Sequence, residues 1–193
     1  MILHWHRFFL IQNLYSNRIY CQKKTKIFFS LTIVIVILSG FLFFNSKTSQ
    51  AGEPDFFTYS LGAYDINDNK TAGEFRIEYR SDKRIKSMLP FIGLMITSDT
   101  GAYGYAGLGL DLFFGKKIVL TPSAAFGAYN DGDGKKLGGT IEFRTGAELA
   151  LRLKDYSRIG IAFHHISNAS IYDSNPGTES LVFSYSMPFT KRN

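Results

Sequence analysis

Glu74-Phe75-Arg76-Ile77-Glu78-Tyr79-Arg80 alternates charged and apolar side chains without a break. Successive side chains of a strand point to opposite faces. This stretch therefore presents Phe, Ile and Tyr on one face and two glutamates and two arginines on the other. The same period of two recurs downstream. In 140–153, Ile141, Phe143, Ala147, Leu149 and Leu151 share one face, and Glu142, Arg144, Glu148 and Arg152 share the other. In 181–189, Leu181, Phe183, Tyr185, Met187 and Phe189 alternate with Val182, Ser184, Ser186 and Pro188. A secreted β-sandwich also alternates, but it turns its polar face to water and its apolar face inward. Here the polar face is dense with charges of both signs, and the apolar faces are rich in Phe and Tyr. That pattern fits a narrow barrel turned inside out, with ion pairs in the lumen and apolar side chains in lipid.

Working outward, segments of this kind fall at 55–65, 71–80, 88–97, 101–114, 117–129, 139–153, 157–166 and 179–189. Each is near the length a tilted strand needs to cross a bilayer, roughly 9–11 residues. The fold expected is all-β: an eight-stranded antiparallel transmembrane β-barrel. An even number of strands closes the sheet and leaves no edge in lipid. Eight strands leave an interior filled by side chains, which argues against a pore. The connections 114–117 and 154–156 are short, and 130–138 and 167–178 are longer. Bacterial barrels place short turns in the periplasm and long loops outside. The 80–87 connection is long for a periplasmic turn.

The 193-residue chain is 45% hydrophobic and carries a formal charge of +6. That charge sits upstream of the strands. Residues 1–51 hold Arg7, Arg18, Lys23, Lys24, Lys26 and Lys47 and no acid, leaving 16 basic against 16 acidic residues in 52–193. The high isoelectric point thus gives no reason to expect a nucleic-acid partner. Lys23, Lys24 and Lys26 precede an uncharged run from Ile27 to Phe44, followed by Ser49-Gln50-Ala51. A basic start, an apolar middle and small residues two apart make a secretory signal. The organisation expected is a signal peptide at 1–51, cleaved after Ala51, and an outer-membrane barrel domain at 52–193. An uncleaved anchor helix is the alternative reading of the apolar run. Cys21 is the only cysteine, so the barrel domain has no disulfide, thiolate metal site or cysteine nucleophile.

The junction of the last two segments carries the candidate chemistry. Ile159, Ile161 and Phe163 mark the lipid face, and His165 and Ser167 share their parity. Across the loop, Glu179 shares the parity of Leu181, Phe183 and Tyr185. All three polar residues are expected on the outer wall, at its extracellular end. Polar groups against lipid are costly unless paired, and they mark functional sites by default. A serine hydroxyl needs a neighbouring base to become a nucleophile, histidine supplies one, and a carboxylate fixes the tautomer of that histidine. Asn168 or Asn175 could offer an amide or backbone N–H to a developing oxyanion. The bland alternative is a polar patch at a barrel rim. Ile161, Phe163, Leu181 and Phe183 share that outer face, just inward of His165, Ser167 and Glu179. His164 is expected in the lumen, Asp131 and Asp133 in a solvated loop, and Lys135 and Lys136 either in solvent or near lipid phosphates.

His165-Ile-Ser167-Asn168, followed by Asn175-Pro-Gly and Glu179, resembles the signature of the PagL-type lipid A 3-O-deacylases. The resemblance implies an eight-stranded outer-membrane barrel with a Ser-His-Glu triad on its outer wall. It implies His165 as base, Ser167 as nucleophile, Glu179 as the orienting acid, and Asn168 and Asn175 in the oxyanion region. It also implies hydrolysis of the ester-linked 3-O-acyl chain of lipid A, near the outer leaflet of the outer membrane. The partners implied are lipopolysaccharide and membrane lipid, with a homodimer allowed and no cofactor or metal required. A non-enzymatic small barrel and a phospholipase using the same triad are the other readings.

Overall fold

A computed structural model describes residues 47–48, 53–68 and 71–189. Eight strands follow one another around a closed antiparallel sheet: β1 (Phe56–Tyr64), β2 (Ala72–Arg80), β3 (Leu89–Thr97), β4, β5 (Ile118–Asn130), β6 (Ile141–Arg152), β7 (Arg158–Ser167) and β8 (Thr178–Pro188). The fourth strand comes in two pieces, β4a (Ala102–Gly109) and β4b (Leu112–Phe114), both paired with β5. The ring closes where β8 pairs with β1, from Ser180 opposite Tyr64 to Pro188 opposite Phe56. The expected barrel is therefore the observed fold, and each segment read from the sequence lands on its strand. A two-residue strand, Lys47–Thr48, pairs with Phe113 and Leu112. The expected cleavage site after Ala51 and the upstream apolar run lie outside the described residues.

Parity holds on every strand. On β2, Glu74, Arg76 and Glu78 are buried in the lumen, whereas Phe75 on the opposite face is exposed. On β7, Arg158, Ala162, His164 and Ile166 point in, while Ile159, Ile161 and Phe163 point out. The outer wall is a nearly continuous apolar surface, as a barrel requires where lipid, not water, is the solvent.

The lumen is plugged by side chains. The half nearer the 131–140 and 168–177 loops holds an apolar cluster that includes Tyr64, Met95, Tyr103, Tyr129, Leu137 and Ile166. At mid-height Glu78 accepts hydrogen bonds from Arg80 (2.7 Å), Arg144 (3.0 Å) and Tyr105 (3.0 Å). Arg80 also reaches Glu148 (2.5 Å), and Arg144 lies 4.1 Å from the centre of the Tyr105 ring. At the opposite end, nearer the 81–88 connection, Asp111 takes Arg158 (2.9 Å), Arg84 (3.3 Å) and Thr121 (2.8 Å). Each of the charges just named has an oppositely charged partner that offsets part of its lost hydration.

Two local departures from the expected pattern have identifiable causes. The break at Leu110–Asp111 leaves the register unchanged, with Gly109 opposite Ser123 and Leu112 opposite Leu120, and it lies across from Pro122, which has no N–H to donate. Asp111 keeps the lumen parity of Tyr103 and Tyr105 and is fully buried where Arg158 and Arg84 converge on it. The long 81–88 connection is a hairpin in its own right. Ile85 and Met88 exchange backbone hydrogen bonds of 2.9 and 3.1 Å, and Lys86 between them takes a left-handed φ of 60°.

Candidate active site on the outer wall

β7 and β8 bring His165 and Glu179 directly opposite each other in the ladder. Their parity points both side chains out of the barrel. His165 Nδ1 and Glu179 Oε1 lie 3.0 Å apart. Both groups are part-exposed, with 44% of the His165 side chain and 25% of the Glu179 side chain accessible. A carboxylate at Nδ1 holds the proton there and leaves Nε2 free to accept another. Ser167 follows His165 by two residues on the same face of β7 and is also part-exposed. On the other flank of β7, β6 sets Thr145 opposite His165 and Phe143 opposite Ser167. The structure thus joins two of the three expected residues by a hydrogen bond and sets the third beside them on the same wall.

The loop that follows is folded around Asn168. This residue is fully buried. Its Nδ2 donates to the carbonyls of Leu137 and Ser174, each at 2.8 Å, and its Oδ1 accepts from Ser170 N (3.0 Å). Asn175 Oδ1 accepts from Asn168 N (3.1 Å), while Asn175 Nδ2 faces the exposed side and donates to Ser170 Oγ (3.3 Å). The Asn168 amide is committed to holding the loop, and of the two asparagines Asn175 keeps its amide at the surface. Gly177 closes the loop with a φ of +66°. A methyl group there would sit 3.0 Å from His165 Cε1.

Several partners of this site carry no local signal in the sequence. Tyr172 lies against Gly139, and its hydroxyl accepts from Ile141 N (3.2 Å). Asp65, from the loop between β1 and β2, accepts from Thr178 Oγ1 (3.0 Å), and Ile66 N donates to the Glu179 carbonyl (3.2 Å). His164 points into the lumen, within 3.0–3.2 Å of Arg76. Lys135 pairs with Asp65 (3.4 Å) and with Asp68. Lys136 is exposed on the same loop as Asp131 and Asp133.

Two apolar grooves run along the wall near the site. One, of about 670 Å³, is lined by Met88, Leu108, Leu110, Ala124, Phe126 and Phe143, and so ends at the residue opposite Ser167. A second, of about 370 Å³, is lined by Leu149, Ile159, Ile161 and Phe183 further inward along β6 to β8.

Fold and site together define an eight-stranded transmembrane barrel with a His–carboxylate pair and a serine on its lipid-facing wall. Residues 99–188 match the family model described as "Lipid A 3-O-deacylase (PagL)". The resemblance to PagL read from the sequence is borne out over that span, which takes in all of the site residues on β6, β7 and β8. A solved structure described as "Crystal structure of the outer membrane enzyme PagL" aligns with a TM-score of 0.55 and 19% identity, over 70% of this chain and 99% of that one. A barrel from "De novo design of transmembrane beta-barrels" aligns at 0.48 and 13% identity, over 72% and 98%. The Yersinia pestis outer membrane protein Ail aligns at 0.43 and 14% identity, over 68% and 99%. No curated protein matches the chain.

Proposed function

We propose that this chain is an outer-membrane serine esterase that removes the ester-linked 3-O-acyl chain, a hydroxyacyl group, from lipid A. The observation that carries the reading is the 3.0 Å His165–Glu179 pair on the lipid-facing wall, with Ser167 two residues along the same face. A polar pair with no structural duty is costly in that position. The family match over 99–188 supports lipid A as the substrate.

In the reaction, His165 Nε2 takes the proton of Ser167 as Oγ attacks the acyl carbonyl. The tetrahedral oxyanion is met by donors of the 168–177 loop, with the exposed Asn175 amide as the side-chain donor and Asn168 holding the loop in shape. The bond between the carbonyl carbon and the sugar oxygen then breaks, and His165 passes its proton to that oxygen. Water, activated by the same imidazole, cleaves the acyl-serine and regenerates the hydroxyl. Glu179 stays ionised and stabilises the imidazolium formed in between. Catalytic hydrogen bonds are often long before substrate arrives, so the serine closes on Nε2 in the Michaelis complex. The acyl chain lies on the apolar wall inward of the triad, and the sugar stays at the membrane surface. The substrate arrives sideways from the outer leaflet. Residues 1–51 act as the export signal, so the mature chain begins at Gly52.

Mass spectra of lipid A from cells carrying wild-type or Ser167→Ala protein test the reading. Loss of one hydroxyacyl chain with wild type alone supports it. Unchanged lipid A with release of fatty acid from phospholipid would replace it with a phospholipase.

A further inference from the structure

The loop between β7 and β8 holds the oxyanion donors, yet it does not fold on itself alone. Its shape is set by the loop between β5 and β6. Three contacts join them, and all run to consecutive residues of the second loop. The Leu137 carbonyl accepts from buried Asn168 Nδ2 at 2.8 Å. At Gly138, with a φ of +97°, a side chain would start 2.0 Å from the Ser174 carbonyl. At Gly139 it would start 1.9 Å from Tyr172 Cε2, inside the ring. The chain then enters β6 by giving the Ile141 N–H to the Tyr172 hydroxyl at 3.2 Å. The Tyr172 ring is therefore seated on a bare glycine backbone and capped by the first amide of β6.

This platform is itself tied into the barrel. Leu137 is buried in the lumen cluster with Tyr129, and the Tyr129 hydroxyl donates to the Lys135 carbonyl at 2.8 Å. Lys135 reaches across the mouth to Asp65, which also holds Thr178, the residue before Glu179. The catalytic loop by contrast carries strain. Ala169 and Ser170 sit at φ of 52° and 63°, a left-handed conformation that side-chain-bearing residues adopt only when their surroundings impose it. The imposing surroundings are the Asn168 bonds and the Tyr172 seat.

We infer that Tyr172, seated on Gly139, is a positioning residue of the esterase: it fixes the height of the 168–177 loop over Ser167, and the β5–β6 loop thereby tunes the reaction without touching substrate. The inference rests on the esterase reading above. It predicts a loss in kcat with KM little changed, because Tyr172 holds donors that act in the transition state and lies off the acyl-binding wall.

The test uses the mature barrel in detergent micelles with 4-nitrophenyl decanoate as substrate. Hydrogen exchange of the 168–177 peptide is followed in parallel, and heat-modifiable gel mobility reports the folded barrel. Gly139→Ala should lower kcat about 100-fold, the cost of a displacement of order 1 Å at a catalytic group, and should speed exchange in 168–177. Adding Tyr172→Leu, which empties the space the new methyl needs, should restore about tenfold of that loss, a non-additive pair of the kind contacting residues give. A folded Gly139→Ala barrel with unchanged kcat and exchange would overturn the inference, and so would a double variant whose losses simply multiply. Should Gly139→Ala fail to fold, Tyr172→Ala, which introduces no clash, must still lower kcat and speed exchange. Wild type no faster than Ser167→Ala on the ester would sink the esterase reading instead, with the exchange data still deciding whether Tyr172 holds the loop.

Discussion

Gly177→Ala is a one-methyl change that should reach His165, the proposed general base. The added methyl would sit 3.0 Å from His165 Cε1 and 3.6 Å from Nε2. Carbon atoms in contact prefer about 3.5–4.0 Å, so the ring must retreat by about 0.5 Å or the loop must lift by as much. The ring is held at its other end by the 3.0 Å bond to Glu179, so retreat swings Nε2 relative to Ser167. Alanine at a φ of +66° also costs roughly 1–2 kcal/mol of backbone strain. The expected result is a fall in kcat of about 10–100-fold, with unfolding stability lowered by only that backbone term. Gly73→Ala is the control, because its added carbon would meet nothing closer than 3.7 Å. Ester hydrolysis in detergent, with barrel folding followed by gel mobility and urea titration, measures both quantities. Full activity in a folded Gly177→Ala barrel would refute the claim that this loop abuts a working imidazole.

Ser167→Ala and His165→Asn should each abolish most of the rate, and the double variant should lose little more, because members of a triad act as a unit; independent, multiplying losses would argue against a shared mechanism. Phe183→Lys should destabilise the barrel by roughly 2–4 kcal/mol, since it places a charge midway along β8 on the lipid face, whereas Phe183→Ala should mainly weaken the hold on the acyl chain; equal urea midpoints for the two would count against lipid at that face. Single cysteines at 163 and 162 should differ in labelling by a bilayer-soluble maleimide, with only Phe163→Cys reacting. N-terminal sequencing of membrane-extracted protein should begin at Gly52, and a start upstream of Lys23 would remove the export signal from the scheme.

Much of the barrel is legible because its constraint is local. Alternation in 74–80 and 140–153 assigns every residue to lumen or lipid, and one shared parity puts His165, Ser167 and Glu179 on the same wall. Shared parity allows His165 and Glu179 to face each other, but the register that sets them opposite goes with the fold of the 168–177 loop, which alternation does not show. What the sequence hides depends on residues far away in the chain. Asp111 has lumen parity in the sequence, but its partner Arg158 lies 47 residues on. Asn168 reads as a free amide beside Ser167, yet it is buried, with its Nδ2 donating to the carbonyl of Leu137, 31 residues earlier. The glycines at 138 and 139 read as ordinary turn residues until the Tyr172 ring is seen lying against one of them.

The proposed nucleophile stands on the outside of the barrel and so has no mouth for substrate to enter. Its surroundings are a two-dimensional fluid in which every molecule carries acyl chains, so the concentration that matters is the mole fraction of cleavable ester in the film. Adding more total lipid at fixed composition should leave the rate per protein unchanged, and diluting the ester with inert amphiphile should slow it. Such a protein lives permanently immersed in candidate substrate. Its turnover in a cell is then governed by how neighbouring lipids pack against the rim loops, more than by any encounter from solution.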